Sequence, residues 1–472
     1  MLSIKKIYTT FFLYFLIVLN IFAFGNGQRV FSSTSLVDKS NDNIAITMDN
    51  LENMYRFAER NFLYEIDSNK VYEEMAKAML DAFGDEWTMF IPSEESDTYR
   101  DHRAGNYGGI GIYLTKLPPS KQDENDPATL YVTITSCFNG GPADRAGLRS
   151  KDMITHIDGE SVINKNASEC ARLMKGETGS KIKLTIKRGN RTFDVDITRE
   201  IVSVPTAEST IINDDIGYVQ ISEFTSITAT QVKEKIASLK GIKALIIDLR
   251  NNGGGDVKAS ADVADYLIPG HKTIVTSEGR TSSRNETLMT SATSEKFNSA
   301  CPIIVLINEG TASASEILSG ALQDNKRAII MGEKSYGKGV MQVSAPFGNG
   351  YVNVTSQEYK TPNGHKVNKI GITPDIEVKN DAYDTTDTDE ITRIDHDKVA
   401  ETYVNLHPSF TDRNVENFVK EYRFEYDIKD TRLTRIVVNE YLSRMNSTER
   451  PIALPKYDNQ LNEAVIYIDN HY

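Results

Sequence analysis

The chain has 472 residues, 39% of them apolar and 25% charged, which is enough for sizeable cores and for roughly two to four domains. Its net charge of −13 excludes the usual nucleic-acid binder, whose affinity rests on neutralising phosphates. An acidic surface otherwise argues only for solubility, and the odd set of 3 cysteines is not a disulfide framework, which a chain of this size does not need. Cys301 stands at the mouth of an apolar run and reads as a small buried hydrophobe. A Cys137–Cys170 bridge is left open by the sequence.

Residues 1–25 read as an export signal, with Lys5 and Lys6 before a nearly continuous apolar run over 11–24 and the small residues Ala23, Gly25 and Gly27 near a cut site. The competing reading is an uncleaved anchor, for which the apolar stretch is short. Residues 44–104 are expected to be helical: Leu51, Met54, Tyr55, Phe57 and Ala58 recur at helical spacing, as do Val71, Met75, Ala78, Met79 and Phe83. The run from Phe83 to Pro92, with the chain's only tryptophan at Trp87, is assigned to packing.

From about Asn106 the texture changes to short strands and turns. In Tyr107-Gly108-Gly109-Ile110-Gly111-Ile112 the glycines let consecutive N–H groups point into one concavity where an anion can sit. The strand that follows, 111–114, can then receive a peptide by edge pairing. A helix over 167–174 is expected to wall that groove, and strands over 181–188 and 192–199 to close the module.

Residues 216–224 alternate as a strand, 228–239 form a helix, and 244–249 form a buried strand that runs into Asp248-Leu249-Arg250-Asn251-Asn252-Gly253-Gly254-Gly255-Asp256. Glycines directly after a buried strand suit a backbone donor that must approach a reacting carbonyl. No Lys-Ser/Thr pair follows, so a nucleotide loop is excluded. A second buried strand, 303–307, turns through Asn308-Glu309-Gly310 into a small-residue helix over 312–322, with Thr311 and Ser313 as capping candidates. A strand over 328–331 leads to Gly337-Lys338-Gly339. A hydroxyl at a strand–turn–helix junction stands beside the helix's free N–H groups, and a buried, uncharged lysine can serve it as a base. A further strand is expected over 350–359. Residues 381–389 read as an acidic linker, and amphipathic helices follow over 415–422 and 434–445.

Gly310-Thr311-Ala312-Ser313-Ala314-Ser315-Glu316 and Ser335-Tyr336-Gly337-Lys338-Gly339-Val340-Met341-Gln342 resemble the catalytic segment of the carboxy-terminal processing peptidases, or tail-specific proteases. These are serine endopeptidases with a Ser–Lys dyad extended by a glutamine. The family's fixed serine-to-lysine interval selects Ser313 over Ser315. The run from Asp248 to Gly255 resembles the family's "DLR.N.GG" signature, and Thr361-Pro362-Asn363-Gly364 and Gly371-Ile372-Thr373-Pro374-Asp375-Ile376 resemble its closing motifs. Residues 83–92 match the family's helix-aspartate-aromatic-proline run only loosely, departing just after Asp85. Residues 107–112, 139–148 and 152–162 are similar, in order, to the carboxylate loop, the "PA..AGL" segment and the "D.I..VDG..V" strand–turn of a PDZ domain, except that Lys151 replaces the usual glycine.

The resemblance implies an α/β crotonase/ClpP-like peptidase core with an inserted PDZ domain, itself a partly open β-barrel with helices. The expected division is 1–25 signal, 44–104 helical, 105–200 PDZ, 203–380 peptidase core and 381–472 linker and helical extension. The catalytic residues implied are Ser313, Lys338 and Gln342, with Glu316 and Asp324 as orienting or structural groups. The oxyanion hole is assigned to an N–H of Gly253 or Gly254 together with that of Ala314. Peptide binding is assigned to Gly109, Ile110, Gly111 and Ile112. Four residues of extended strand cover roughly 13 Å, so Gln342 reaches Lys338 only if Gly337 and Gly339 bend the chain.

The expected function is cleavage of exported proteins near their C-termini, in the bacterial periplasm or at the outer face of the inner membrane. The partners are protein substrates with free, apolar C-termini, without nucleic acid. An adaptor protein and a homodimer through the terminal extensions are compatible with this. No cofactor is expected, and no His/Cys/Glu cluster has metal-ligand spacing. The rival mechanism is a Ser–His–Asp triad, and the rival function is a PDZ scaffold whose peptidase fold has lapsed.

Overall fold

The computed structural model describes residues 48–117, 122, 129–380, 387–445 and 449–472. The segment read as an export signal and most of the acidic linker lie outside the described residues. Among the described residues, no helix is long and apolar enough to cross a membrane. The chain divides into two compact units, Met1–Ala76 and Lys77–Tyr472.

In the first unit, helix α1 (Met48–Asn61) is followed by the start of α2 (Ser68–Asp81). Asp67 caps α2 by accepting the N–H groups of Asn69 and Lys70. The Tyr55 hydroxyl donates to Ser68 Oγ at 2.9 Å.

The second unit opens with β1 (Met89–Ile91) and α3 (Ser93–Ala104), which Gly105 ends in the left-handed conformation. Strand β2 (Asn106–Gly109) precedes an open sheet of β3 (Ile112–Thr115), β4 (Val132–Cys137), β5 (Met153–Ile157) with its short partner β6 (Glu160–Ser161), β7 (Lys181–Arg188) and β8 (Arg191–Thr198). Helices α4 (Pro142–Arg145) and α5 (Ala167–Met174) interrupt it. The apolar alternation of β7 decides which face is buried: Ile182, Leu184 and Ile186 point inward, whereas Lys181 and Lys183 are exposed. The sheet runs β3-β4-β5-β7-β8 and does not close into a barrel, so β3 is an edge strand. Cys137 and Cys170 are separate buried thiols, as is Cys301. Strand β9 (Glu200–Ser203) returns to pair with β2.

A six-stranded sheet follows, in the order β10 (Ala207–Ile212), β11 (Ile216–Ile221), β12 (Ala244–Asp248), β15 (Ile303–Ile307), β16 (Ile329–Gly332) and β19 (Ile376–Glu377). It is parallel from β11 onward. Every residue of β12 and β15 is buried, which is why these strands read as unbroken apolar runs. Leu245, Ile247, Val305 and Ile307 face one core, shared with α6 (Thr228–Ser238), α7 (Val257–Leu267) and α8 (Ala314–Asp324). Tyr218, Ile246, Leu306 and Met331 face the other, which is covered by the last helix. A second sheet packs β13 (Thr273–Gly279) and β14 (Glu286–Met289) with β17 (Val340–Phe347), β18 (Gly350–Lys360) and β1.

Helices α9 (Asp387–His396), α10 (Val399–Leu406), α11 (Asp412–Tyr422) and α12 (Asp430–Arg444) form a bundle around Tyr403, Phe418, Leu433 and Val437. The final helix, α13 (Asn459–His471), lays Leu461, Ala464, Val465 and Ile468 on the sheet. The extension therefore completes the second face of the core.

Ile468→Ala should cost about 2–4 kcal/mol of unfolding free energy in urea titrations, because it leaves a cavity against the sheet. Phe424→Ala, at a side chain 90% exposed, should stay within about 0.5 kcal/mol of wild type.

Candidate active site

Three loops leave the carboxyl ends of the neighbouring parallel strands β12, β15 and β16 and meet there, where open α/β sheets place their ligands. The first two are laced together. The Thr311 hydroxyl donates to the Leu249 carbonyl at 2.8 Å. Asn308 accepts the Asn251 N–H at 2.8 Å and donates its amide back to Asn251 at 3.0 Å. The Asn252 carbonyl accepts the Ala312 N–H and the Ser315 hydroxyl, both at 3.0 Å.

Ser313 is the N-cap of α8, which begins two residues later than the sequence suggests. Its backbone stands at φ 54°, ψ −118°, a strained conformation for a side-chain-bearing residue that costs on the order of 1–3 kcal/mol. A strand-to-helix turn strained in this way projects a nucleophile out of the backbone. The glycine run packs directly against it: a Cβ on Gly254, at φ 100°, would lie 2.7 Å from Ser313 Cβ and 2.9 Å from the Ala314 nitrogen. Gly254 donates its N–H to Asn252 Oδ1 at 2.9 Å, so of the two glycines assigned to the oxyanion hole its donor is already engaged. Gly253 faces open space. Ala314 opens α8, so its N–H has no carbonyl one turn back to bond.

Glu316 joins the loops. It is fully buried, and its Oε2 accepts the N–H of Ser313 at 2.8 Å and of Lys338 at 2.9 Å. Its Oε1 accepts the Ser335 hydroxyl at 2.5 Å and the Gly337 N–H at 2.7 Å. Burial raises its pKa, and these bonds oppose the rise. Tyr359, on β18 and also buried, directs its hydroxyl at the carbonyls of Ser313 (3.0 Å) and Lys338 (2.8 Å). Sequence reasoning missed Tyr359, because one tyrosine in an alternating strand carries no signal of what its hydroxyl meets.

Burial lowers the pKa of Lys338, while Glu86 and Asp85 work against that. The Lys338 ammonium lies 3.7 Å from the centroid of the Trp87 ring, so the segment assigned to packing in fact touches the lysine. Among the described residues no hydrogen bond joins Lys338 Nζ to Ser313 Oγ or to Gln342. The Gln342 amide donates to the Thr355 hydroxyl at 3.3 Å, and a register shift falls between Met341 and Gln342. The lysine loop is pinned from the other side: a Cβ on Gly339 would come 2.1 Å from the Asn368 nitrogen.

Asp324 stands apart. It is the last residue of α8, roughly 15 Å along the helix from Ser313, and it accepts the Asn363 N–H at 2.8 Å. The histidines have other partners, including His102 with Glu223, His271 with the Thr290 carbonyl and His365 facing Asp324. None is hydrogen-bonded to Ser313 among the described residues. No group of three or more His, Cys, Asp or Glu there could hold a metal ion.

A second, shallow concavity is lined by Tyr107, Ile110, Ile112, Leu114, Ala171, Met174 and Lys175. It lies between edge strand β3 and α5, whose first turn is fixed by a reciprocal Asn166–Glu169 cap. Gly109 is paired with Glu200, and Gly111 turns the chain at φ 75°. The Ile110 and Gly111 carbonyls are tied back to Ala143 and Phe138 at 2.9 Å, which fixes this loop at the end of the groove. Lys175 pairs with Asp101 at 3.1 Å.

Residues 215–378 match the model of Peptidase family S41, and residues 134–188 match that of a PDZ domain. The chain is 30% identical over 355 residues to a protein of Staphylococcus aureus (strain COL) named "Probable CtpA-like serine protease", with 75% of this chain and 68% of that protein covered. A protein of the same name from Staphylococcus haemolyticus (strain JCSC1435) is 30% identical over 336 residues, with 71% and 65% covered. The chain thus spans about two thirds of the length of these relatives. Among solved structures, a photosystem II D1 C-terminal processing protease is similar at 28% identity, covering 69% of this chain and 86% of that one with a TM-score of 0.40.

Glu316→Gln sets an amide donor against a backbone donor and should cost about 1–3 kcal/mol in denaturant titrations. It should also slow labelling of Ser313 by a fluorophosphonate at least tenfold. Tyr359→Phe removes a hydroxyl from two buried carbonyls and should cost about 1–2 kcal/mol in the same titrations.

Proposed function

Since the chain belongs to peptidase family S41 and is a serine protease, we propose that it is an endopeptidase that uses Ser313 and Lys338 to cut exported proteins near their C-termini, after its PDZ groove has captured the tail. The observation that carries this reading is the Glu316 carboxylate, which accepts the backbone N–H of both residues and so holds nucleophile and base on one pivot.

In this mechanism Ser313 Oγ attacks the scissile carbonyl while Lys338 Nζ takes its proton. The carbonyl oxygen becomes an oxyanion facing the N–H groups of Ala314 and Gly253. Lys338 returns the proton to the leaving amine, the C–N bond breaks, and an ester on Ser313 remains. Water, deprotonated by Lys338, attacks that ester, and Lys338 passes the proton to the departing Ser313 Oγ as the new C-terminus is freed. An ordinary lysine is almost wholly protonated at neutral pH; burial of Lys338 acts in the required direction. The hydroxyl–amine hydrogen bond forms when substrate arrives, since catalytic bonds often tighten only in the complex. The reading keeps Gln342 as the amide that hydrogen-bonds the lysine amine without adding a charge, for which its amide must leave Thr355.

For the groove, the reading assigns the substrate's terminal carboxylate to the backbone around Gly109, Ile110, Gly111 and Ile112. The tail pairs with the edge of β3, and Ile110, Ile112, Leu114 and Met174 favour an apolar last residue. The reading extends to a crotonase/ClpP-like core, to the division at 44–104, 105–200, 203–380 and 381–472, and to action in the periplasm or at the outer face of the inner membrane. An adaptor and a homodimer through the terminal extensions belong to it as well.

Ser313→Ala and Lys338→Ala should each abolish cleavage of a tailed protein while leaving the protein folded, as far-UV circular dichroism would show. If purified Lys338→Ala cleaved like wild type, the dyad would be wrong. Amidating the substrate's C-terminus should raise KM about tenfold or more by removing a charge-assisted contact. The rate should rise with pH to a plateau, with a midpoint below the ordinary lysine value of 10.5, because burial disfavours the ammonium form.

A further inference from the structure

We propose that Trp87 is a positioning residue for the base: its indole face is the resting dock of the Lys338 ammonium, and it sets the pH at which that amine is released to act on Ser313. This deepens the Ser313–Lys338 reading and rests on it.

The geometry is direct. Lys338 Nζ lies 3.7 Å from the Trp87 ring centroid, well inside the range of cation–π attraction, and tryptophan offers the strongest such face. The ring is held in place by its neighbours. Thr88 donates its hydroxyl to Asp85 Oδ2 at 2.5 Å and accepts the Thr355 N–H at 3.1 Å. Residues 89–91 then pair with β18. That same strand carries Thr355, the partner of Gln342, and Tyr359, the partner of the Ser313 and Lys338 carbonyls. Indole and lysine backbone are therefore referenced to one strand.

The ionisable groups facing Lys338 fall into two sets. Asp85 and Glu86, from the turn before β1, act on the amine and favour its charged form. Glu316 from α8 and Tyr359 from β18 meet only its backbone N–H and carbonyl. The ring adds to the first set, since its negative face binds the ammonium and has little attraction for the neutral amine. Replacing the indole by an apolar side chain that keeps the amine covered but lacks the negative face makes the amine easier to deprotonate.

Two measurements decide the matter. In pH profiles of kcat/KM, Trp87→Leu should move the acid limb downward by about one pH unit, and Trp87→Phe by less. Lost packing alone would depress the rate at every pH and leave the limb in place, and that result would overturn the proposal. The second measurement uses the wild-type protein, in which Trp87 is the only tryptophan. Its fluorescence should titrate with the midpoint of the kinetic limb, and this titration should vanish in Lys338→Met. Adding a tailed peptide to Ser313→Ala should change the emission as the amine leaves the ring. Emission that is flat across the limb would overturn the dock even if Trp87→Leu failed to fold. Cleavage by Lys338→Met would overturn the dyad and this proposal together. An inactive Lys338→Met together with an unmoved limb in Trp87→Leu would overturn this proposal alone.

Discussion

A carboxylate buried away from solvent survives only when its lone pairs are taken up, and Glu316 places all of that demand on the site. Its partners are the backbone N–H groups of Ser313, Gly337 and Lys338 and the hydroxyl of Ser335. Backbone donors cannot rotate away, so the carboxylate fixes the path of two chain segments that are distant in sequence. Burial pushes its pKa upward even so, which means the site holds a charge that its surroundings only partly compensate.

The strain at Ser313 depends on that anchoring. A residue at φ 54° relaxes unless its neighbours determine its backbone. Here the N–H is held by Glu316, the carbonyl by Tyr359, and the preceding residue by the Asn252 carbonyl. These contacts fix the backbone of the turn on both sides of the nucleophile.

Much of this was legible in the sequence, for identifiable reasons. The buried strands 244–248 and 303–307 appear as continuous apolar runs because both sheet faces are covered. Ser313, Lys338 and the glycine run appear through motif spacing. What stayed hidden was every relation carried by tertiary contact. Trp87 reads as packing because the run 83–92 matches the family only loosely, and nothing in that run shows a ring facing an amine. Gly253 and Gly254 could not be ranked, since the choice rests on the Asn252 side chain reaching the Gly254 N–H. Gln342 reaches the lysine only if the flanking glycines bend the chain, and sequence spacing does not reveal that its amide meets Thr355 beside a shift in strand register.

The C-terminal helix shows the same logic at longer range. Arg250 follows β12 directly and is nearly buried, donating to both oxygens of Asp248 and of Asp458. Asp458 in turn caps α13 by accepting the Leu461 N–H. Breaking such a pair costs more than forming it gains, because the partner left behind is a desolvated charge. The arginine of the "DLR" run therefore ties the tail helix to the strand end from which the Gly253–Gly255 loop departs. On the opposite side of that loop, Asn252 is tied to the serine turn. A change in how α13 packs would be felt first at Arg250 and, three residues on, at the backbone N–H groups assigned to the oxyanion.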